Sequence, residues 1–374
     1  MSDQSLLDST RIFAARELAP QAAEIDLTGE LPAGRWASLG EFGLAGLQIP
    51  AELGGLGADR QTALAALEIV AGACASTAWA LLAHMTVSAG ILALGTDEQK
   101  KCYLPGLAQA RLIGGALAAT ETGGGSNAAS IRTFARREGD EYVLDGGKFF
   151  ISQAGAGDVY LVMARTDRNP GPNALSSFIV EKTDPGLGFG EREQTMGIRG
   201  VAVREIFFEN CRIPADRLLG TLGGALALIG AIGATSVLGA AAAATGIAQA
   251  AVDVTIAHLR ERTVLDQPLS AIGAIQARMA RVLLELEGAR AWVDRGLARV
   301  ENPQPGPPLP VWMAKIGATE AAAHIIDQCL ALHGAIGYSQ ALPMERHCRD
   351  IRAFGIHWGN NDVFLDMIGK TITG

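Results

Sequence analysis

From Leu218 to Val252 the chain carries no charged side chain. A stretch of that length must leave water, either by crossing a bilayer or by entering a protein core. Its apolar residues are mainly alanine and glycine, Gly223, Gly224, Gly230, Gly233 and Gly239 punctuate it, and neither an aromatic belt nor a basic flank accompanies it. The expectation is a buried helix inside a helical bundle, because small side chains let neighbouring backbones approach closely. No membrane partner is expected.

The hydrophobic period changes twice along the chain. From Ser5 to about Leu107 apolar residues recur at three- and four-residue spacing, as in Leu64-Leu67-Ile69-Val70, with breaks at Ile49-Pro50 and Leu53 to Gly57. From Leu112 to about Leu218 the pattern is that of strands: Tyr142-Val143-Leu144, an Asp145-Gly146-Gly147 turn, Phe149-Phe150-Ile151, then Val159 to Met163, Ser177 to Val180 and Val201 to Phe208. After Gly224 the helical period returns and holds to the end, interrupted only by the loop Pro303-Gln304-Pro305-Gly306-Pro307-Pro308. The expected fold is therefore α+β. It has an N-terminal helical domain over 1–110, a small central β-domain of barrel or sandwich type over 111–218, and a C-terminal four-helix bundle over 219–374.

With 374 residues and 49% hydrophobic content the chain can bury a large core without disulfides or metal. A net charge of -8 with scattered basic residues offers no footprint for nucleic acid. Cys74, Cys102, Cys211, Cys329 and Cys348 are odd in number, widely spaced and free of C-x-x-C pairs, which excludes a recognisable zinc site or disulfide framework. Met1-Ser2-Asp3-Gln4 lacks a basic region followed by an apolar stretch, so no signal peptide is expected. Reduced cysteines and a cytoplasmic location are the simpler expectation.

Two short segments carry the chemistry. One is Ala118-Ala119-Thr120-Glu121-Thr122-Gly123-Gly124-Gly125-Ser126-Asn127, the other Gly147-Lys148-Phe149-Phe150-Ile151-Ser152. Taken alone, the glycine loop fits an ordinary turn before a hairpin equally well. Together the two segments, in this three-part order, resemble the acyl-CoA dehydrogenase family, whose loops read T-E-P-G-A-G-S-D and K-x-W/F-I-T/S. The resemblance runs from Glu17-Leu18-Ala19-Pro20 to Asp362.

That resemblance implies FAD as cofactor. A flavin ring takes neutral hydrogen-bond donors at its edge, which tune electron affinity without burying charge. Thr120 and Ser152 match the family positions that supply them. Gly125 and its neighbours match the close backbone approach, Ser126 a contact to phosphate or the thioester arm, and Phe150 an aromatic residue against the ring. Arg262 matches an arginine that reaches the pyrophosphate of a neighbouring subunit. Leu332-His333-Gly334-Ala335-Ile336-Gly337-Tyr338 matches the H-G-G/A-x-G-Y loop, in which His333, Gly334 and Ala335 approach a partner's cofactor. Asn360 and Asp362 complete the implied cofactor set. A site built from two subunits implies a homo-oligomer, tetramer or dimer.

The same alignment raises the question of the base. Matching Arg349-Asp350 to the family's R-D pair puts Trp358 where the catalytic glutamate usually stands, and tryptophan takes no proton. The earlier helix that holds the base in a minority of the family corresponds to Ala234-Thr235-Ser236-Val237-Leu238, which also lacks an acid or base. Ser236, His357 and Trp358 are the expected pocket residues, with His357 the one titratable candidate base. Glu121 is expected to be structural, and Glu285 and Glu287 to lie on a solvent-facing helix side.

Three readings follow. One is a flavin oxidoreductase acting on an acyl thioester held on coenzyme A or on a carrier protein, in biosynthetic rather than ordinary β-oxidation chemistry. Another is a base-independent flavin decarboxylase or monooxygenase. The third is a non-catalytic subunit of a heteromeric enzyme, against which the intact Thr120 and Ser152 weigh.

Overall fold

The computed structural model describes residues 3–123, 130–167, 171 and 173–374. Gly125, Ser126 and Asn127 of the expected cofactor loop lie outside the described residues.

The N-terminal part is built from α1 (Asp3–Phe13), α2 (Ala22–Thr28), α3 (Arg35–Phe42), α4 (Arg60–Ala73), α5 (Ala75–Leu94) and α6 (Asp97–Ala108). The breaks expected near residues 49–57 fall between α3 and α4. Asp59 starts α4 by accepting the Thr62 amide, and Thr96 and Gln99 form a capping box on α6. Helix α5 is apolar on every side and buried almost throughout, because α4, α7 (Ala225–Glu261) and β1 (Gly114–Ala118) pack around it.

The central part adds β2 (Phe134–Glu138), β3 (Glu141–Ser152), β4 (Val159–Arg165), β5 (Leu175–Glu181), β6 (Leu187–Arg192), β7 (Val203–Pro214) and β8 (Leu218–Leu219). They form one sheet in the order β6-β7-β3-β2-β4-β5-β8, with β1 parallel to β4. Strand β4 is buried on both faces. Tyr160, Val162 and Ala164 enter the sheet's own core, while Val159 and Leu161 meet Val87 and Ile91 of α5 and Leu104 and Leu107 of α6. This unbroken apolar strand locks the β-part onto the helices.

The turn expected at Asp145-Gly146-Gly147 is not formed. The chain passes through as one strand, bulged where the β3–β7 register shifts between Leu144 and Gly146. Gly146 adopts φ +140°, and a Cβ there would sit 2.8 Å from Thr133. Asp145 does not close a local turn because its carboxylate is used across the sheet, accepting the Asn210 amide at 2.8 Å and pairing with Arg136. The reversal comes earlier, at Gly139 with φ +63°, between β2 and β3.

In the C-terminal part α7 is followed by α8 (Gly273–Glu301), α9 (Leu309–His333), α10 (Met344–Ile356) and α11 (Asn361–Thr373). Helix α7 packs against α4, α5, α8, α9 and α10, which makes α7–α10 the bundle, with α11 added on α9. Close approach is realised at Gly246, where any side chain would collide with the Glu68 carbonyl of α4. Two expectations change in detail. The uncharged run begins as strand β8, paired with β5, before it becomes helical. The helical pattern is also broken by a hairpin, β9 (Thr263–Val264) with β10 (Gln267–Pro268), whose tip residues Leu265 and Asp266 have φ +51° and +61°. Two left-handed residues make the tight turn that matches strand twist, a conformation that apolar periodicity does not report.

Candidate functional site

Thr120 follows β1, and Ser152 ends β3. The Phe149 amide donates to the Thr120 carbonyl at 2.9 Å, which ties the two segments side by side. Behind them lies a buried pair, Lys148 and Glu121, at 2.7 Å. Glu121 also accepts the Arg132 amide at 2.6 Å and the Thr133 amide and hydroxyl at 3.0 and 2.6 Å. Burial alone would raise the Glu121 carboxyl, but the donors from Lys148, Thr133 and Arg132 hold it below its ordinary range. Glu121 is thus the structural brace of the loop, as its position in the chain suggests.

Ser152 is buried, and its Oγ accepts the indole N–H of Trp79 at 3.0 Å. With the acceptor role filled, the hydroxyl hydrogen remains to be donated outward. Phe150, one strand position earlier in sequence than Ile151, is 59% exposed with φ +54°, at a second register shift between Lys148 and Ile151. The bulge turns this aromatic ring away from the core.

Trp79 is the hub that joins this loop pair to the C-terminal segment. Its ring lies 5.0 Å from Phe354, 5.1 Å from His357 and 5.7 Å from Trp358, centroid to centroid. Helix α10 stops at Ile356, and Trp358 and Gly359 follow in left-handed conformation with φ +59° and +94°. Phe364 of α11 fills the space where a Cβ on Gly359 would fall. His357 donates from Nδ1 to the Ala353 carbonyl at 3.1 Å; burial, then the nearby Lys315 charge, lower its pKa. The imidazole is therefore neutral, with its lone pair on Nε2. Trp358 Nε1 is buried without a hydrogen-bond partner.

The remaining expected residues separate. Ser236 is buried on α7 and spends its hydroxyl on the Ile232 carbonyl at 3.0 Å. Its neighbours Ala234, Thr235 and Leu238 line a narrow cleft with Leu64, Leu67 and Met85. Asn360 caps α11 by accepting the Asp362 amide at 2.8 Å, and Asp362 is exposed in that helix's first turn. Arg262 closes α7 and is exposed. His333 is buried at the end of α9, stacked on His258 at 4.5 Å, with Nδ1 bonded to the Cys329 carbonyl and Nε2 unpartnered. Gly334 and Ala335 are exposed beside it.

Comparison with known proteins gives these features a common frame. The family model of the acyl-CoA dehydrogenase N-terminal domain matches residues 2–111, that of the middle domain 116–211, and that of the C-terminal domain 236–373. The chain belongs to the acyl-CoA dehydrogenase family. It is 34% identical over 362 residues to a probable acyl-CoA dehydrogenase of Mycobacterium tuberculosis, covering 97% of this chain and 93% of that one. The structure of butyryl-CoA dehydrogenase from Megasphaera elsdenii superposes with a TM-score of 0.95 at 29% identity, covering 100% and 98% of the two chains. That of a prolyl acyl carrier protein oxidase superposes with a TM-score of 0.93 at 28% identity, covering 99% and 98%.

FAD is the cofactor of the acyl-CoA dehydrogenase family. The residues present fit its ring: Ser152 retains a neutral donor, Thr120 is tied to the same strand through the Phe149 hydrogen bond, and Phe150 offers an uncovered aromatic face. Sequence reasoning passed over Trp79 and Lys315. Trp79 lies 73 positions from its partner Ser152 in an otherwise apolar helix, and only a lone indole in that helix hints at it. Lys315 is a single lysine in an alanine-rich helix, which reads as a surface residue until the fold buries it completely.

Proposed function

We propose that this member of the family is an FAD-dependent oxidoreductase of acyl thioesters carried on coenzyme A or on a carrier protein, working without a carboxylate at the usual base position. The carrying observation is the Ser152–Trp79–Trp358 arrangement, which supports an indole wall facing the place where Ser152 and Thr120 would hold the ring edge. Bound FAD would supply the hydride acceptor for the substrate β-carbon. The chain's own part is to orient the thioester, narrow the acyl pocket with Trp358, and receive the α-proton. Support for His357 as receiver is its neutral state and free Nε2 beside the aromatic cluster. A substrate that loses carbon dioxide would need no receiver, so the decarboxylating route stays the alternative outcome of the test.

We also propose a homo-oligomer. The His333 loop leads into the start of α10, with His258, one turn before Arg262, stacked on His333, whereas Trp358 follows the end of α10, and thirteen helical residues separate those ends by roughly 20 Å. A ring held at one end and an adenosine arm held at the other favour contributions from two copies. The test is anaerobic titration of the flavin-loaded protein with short acyl thioesters on coenzyme A and on a phosphopantetheinyl carrier protein. Bleaching of the visible band by either supports the reading, and His357→Gln should then slow bleaching at least about tenfold. Bleaching with unchanged rate in His357→Gln removes that residue's role; an unresponsive flavin under both carriers removes the dehydrogenase reading.

A further inference from the structure

Lys315 is fully buried in the second turn of α9, and among the described residues no carboxylate oxygen lies within 4 Å of its ammonium. Its Nζ instead donates to the Gly359 carbonyl at 2.6 Å, the Asn361 Oδ1 at 2.8 Å and the Gly355 carbonyl at 3.2 Å. Three acceptors match the three hydrogens of an ammonium; a neutral amine would leave one carbonyl without a donor. One of these acceptors, the Gly355 carbonyl, lies in the last turn of α10, where a helix leaves its carbonyls unpaired and favours a cation, and the Gly359 carbonyl lies in the connection beyond it. One turn along α9, Thr319 accepts from the Asn361 Nδ2 at 3.1 Å, so a single face of α9 grips the connection at both ends. Between the outer gripped residues, Gly355 and Asn361, lie Ile356 to Asn360, of which Trp358 and Gly359 are left-handed.

We propose that Lys315 is a positioning residue whose ammonium holds the α10–α11 turn in the left-handed conformation that sets the Trp358 indole against Trp79 and Ser152. Burial, partly offset by the Glu320 charge, pulls the Lys315 ammonium down to about 7, so the test is read at pH 6, where the ammonium predominates. The inference rests on the reading that Trp358 walls the substrate pocket, but its test needs neither substrate nor flavin. Two indoles at 5.7 Å couple in the far ultraviolet and give a circular-dichroism couplet, which Trp358→Phe identifies by difference. Lys315→Met is expected to lose most of that couplet at temperatures well below its melting point with helical ellipticity unchanged. Lys315→Gln, which retains two donors, should recover part of it. Asn361→Ala, which removes one of the three acceptors, should weaken the couplet and serves as the deciding variant if Lys315→Met does not fold. A couplet of wild-type size in Lys315→Met, or in Asn361→Ala when that variant decides, overturns the proposal even if the melting temperature falls. Loss of thioester activity alone would leave the couplet intact and would count against the functional reading instead.

Discussion

Trp358 occupies a costly position. A backbone at φ +59° is sparsely populated for a bulky side chain, and an indole N–H buried without an acceptor loses its water hydrogen bond with nothing in return. Such penalties persist where a site requires them. Trp358→Phe keeps an aromatic wall and removes the orphan donor, so the variant should be as stable as the parent or more stable by about 1 kcal/mol in denaturant unfolding. A loss above about 2 kcal/mol would mean that the N–H has a partner in solution. Thr120 and Ser152 were legible as a pair because each sits in a dense local motif. Trp79 and Lys315 were not, since a tryptophan and a lysine in apolar helices acquire their roles only from partners far along the chain.

At the level of elements, one buried imidazole ties α5 to both α6 and β1. His84 of α5 donates from Nε2 to the Leu107 carbonyl of α6 at 3.1 Å, while its Nδ1 accepts the Gly114 amide of β1 at 2.9 Å. Both roles require the neutral ring. Burial lowers the His84 pKa from 6.5 to about 4, and burial likewise lowers that of His347 to about 3. Because the folded pKa lies below the unfolded one, the unfolded chain takes up the proton first. The contribution of His84 is therefore fully present above about pH 6.5 and falls as pH drops toward 4, a loss on the order of 3 kcal/mol. Chemical denaturation at pH 7 and pH 4.5 should show this fall, and His84→Gln, which offers one donor and one acceptor, should flatten it at lower overall stability. An equal fall in His84→Gln would assign the acid sensitivity elsewhere. The bulge at Gly146 and the hairpin at Leu265-Asp266 mark where reading by element failed, because both depend on cross-strand pairing rather than on the residues that turn.

For the molecule as a whole, the distribution of apolar surface is the main signal. Leu265 is 90% exposed at a hairpin tip, Leu284 is 73% exposed on α8, and Tyr338 is 83% exposed beside the His333 loop. Large apolar side chains uncovered at several separate places fit the proposed contacts between copies. Light scattering of the flavin-loaded protein should report a dimer or tetramer, and Leu284→Lys should shift it toward smaller species with weaker flavin retention. A monomer that keeps one flavin per chain on dilution would contradict the two-subunit site. Helix α7 shows the other side of the same accounting: it is long and apolar enough to cross a membrane, yet α4, α5, α8, α9 and α10 cover most of its middle.

Periodicity and local motifs were enough to read the order of helical, β and helical parts, the buried fate of the uncharged run, and the two short segments, carrying Thr120 and Ser152, that the fold sets side by side. Those features are local: they depend on residue spacing within a turn, a strand or a loop. The brace of Lys148 on Glu121, the hub at Trp79 and the grip of Lys315 on the Trp358 turn came only with the tertiary structure. Each joins groups separated by many residues, and a charge or an N–H shows what it does only when burial removes water and leaves a particular partner within hydrogen-bond reach.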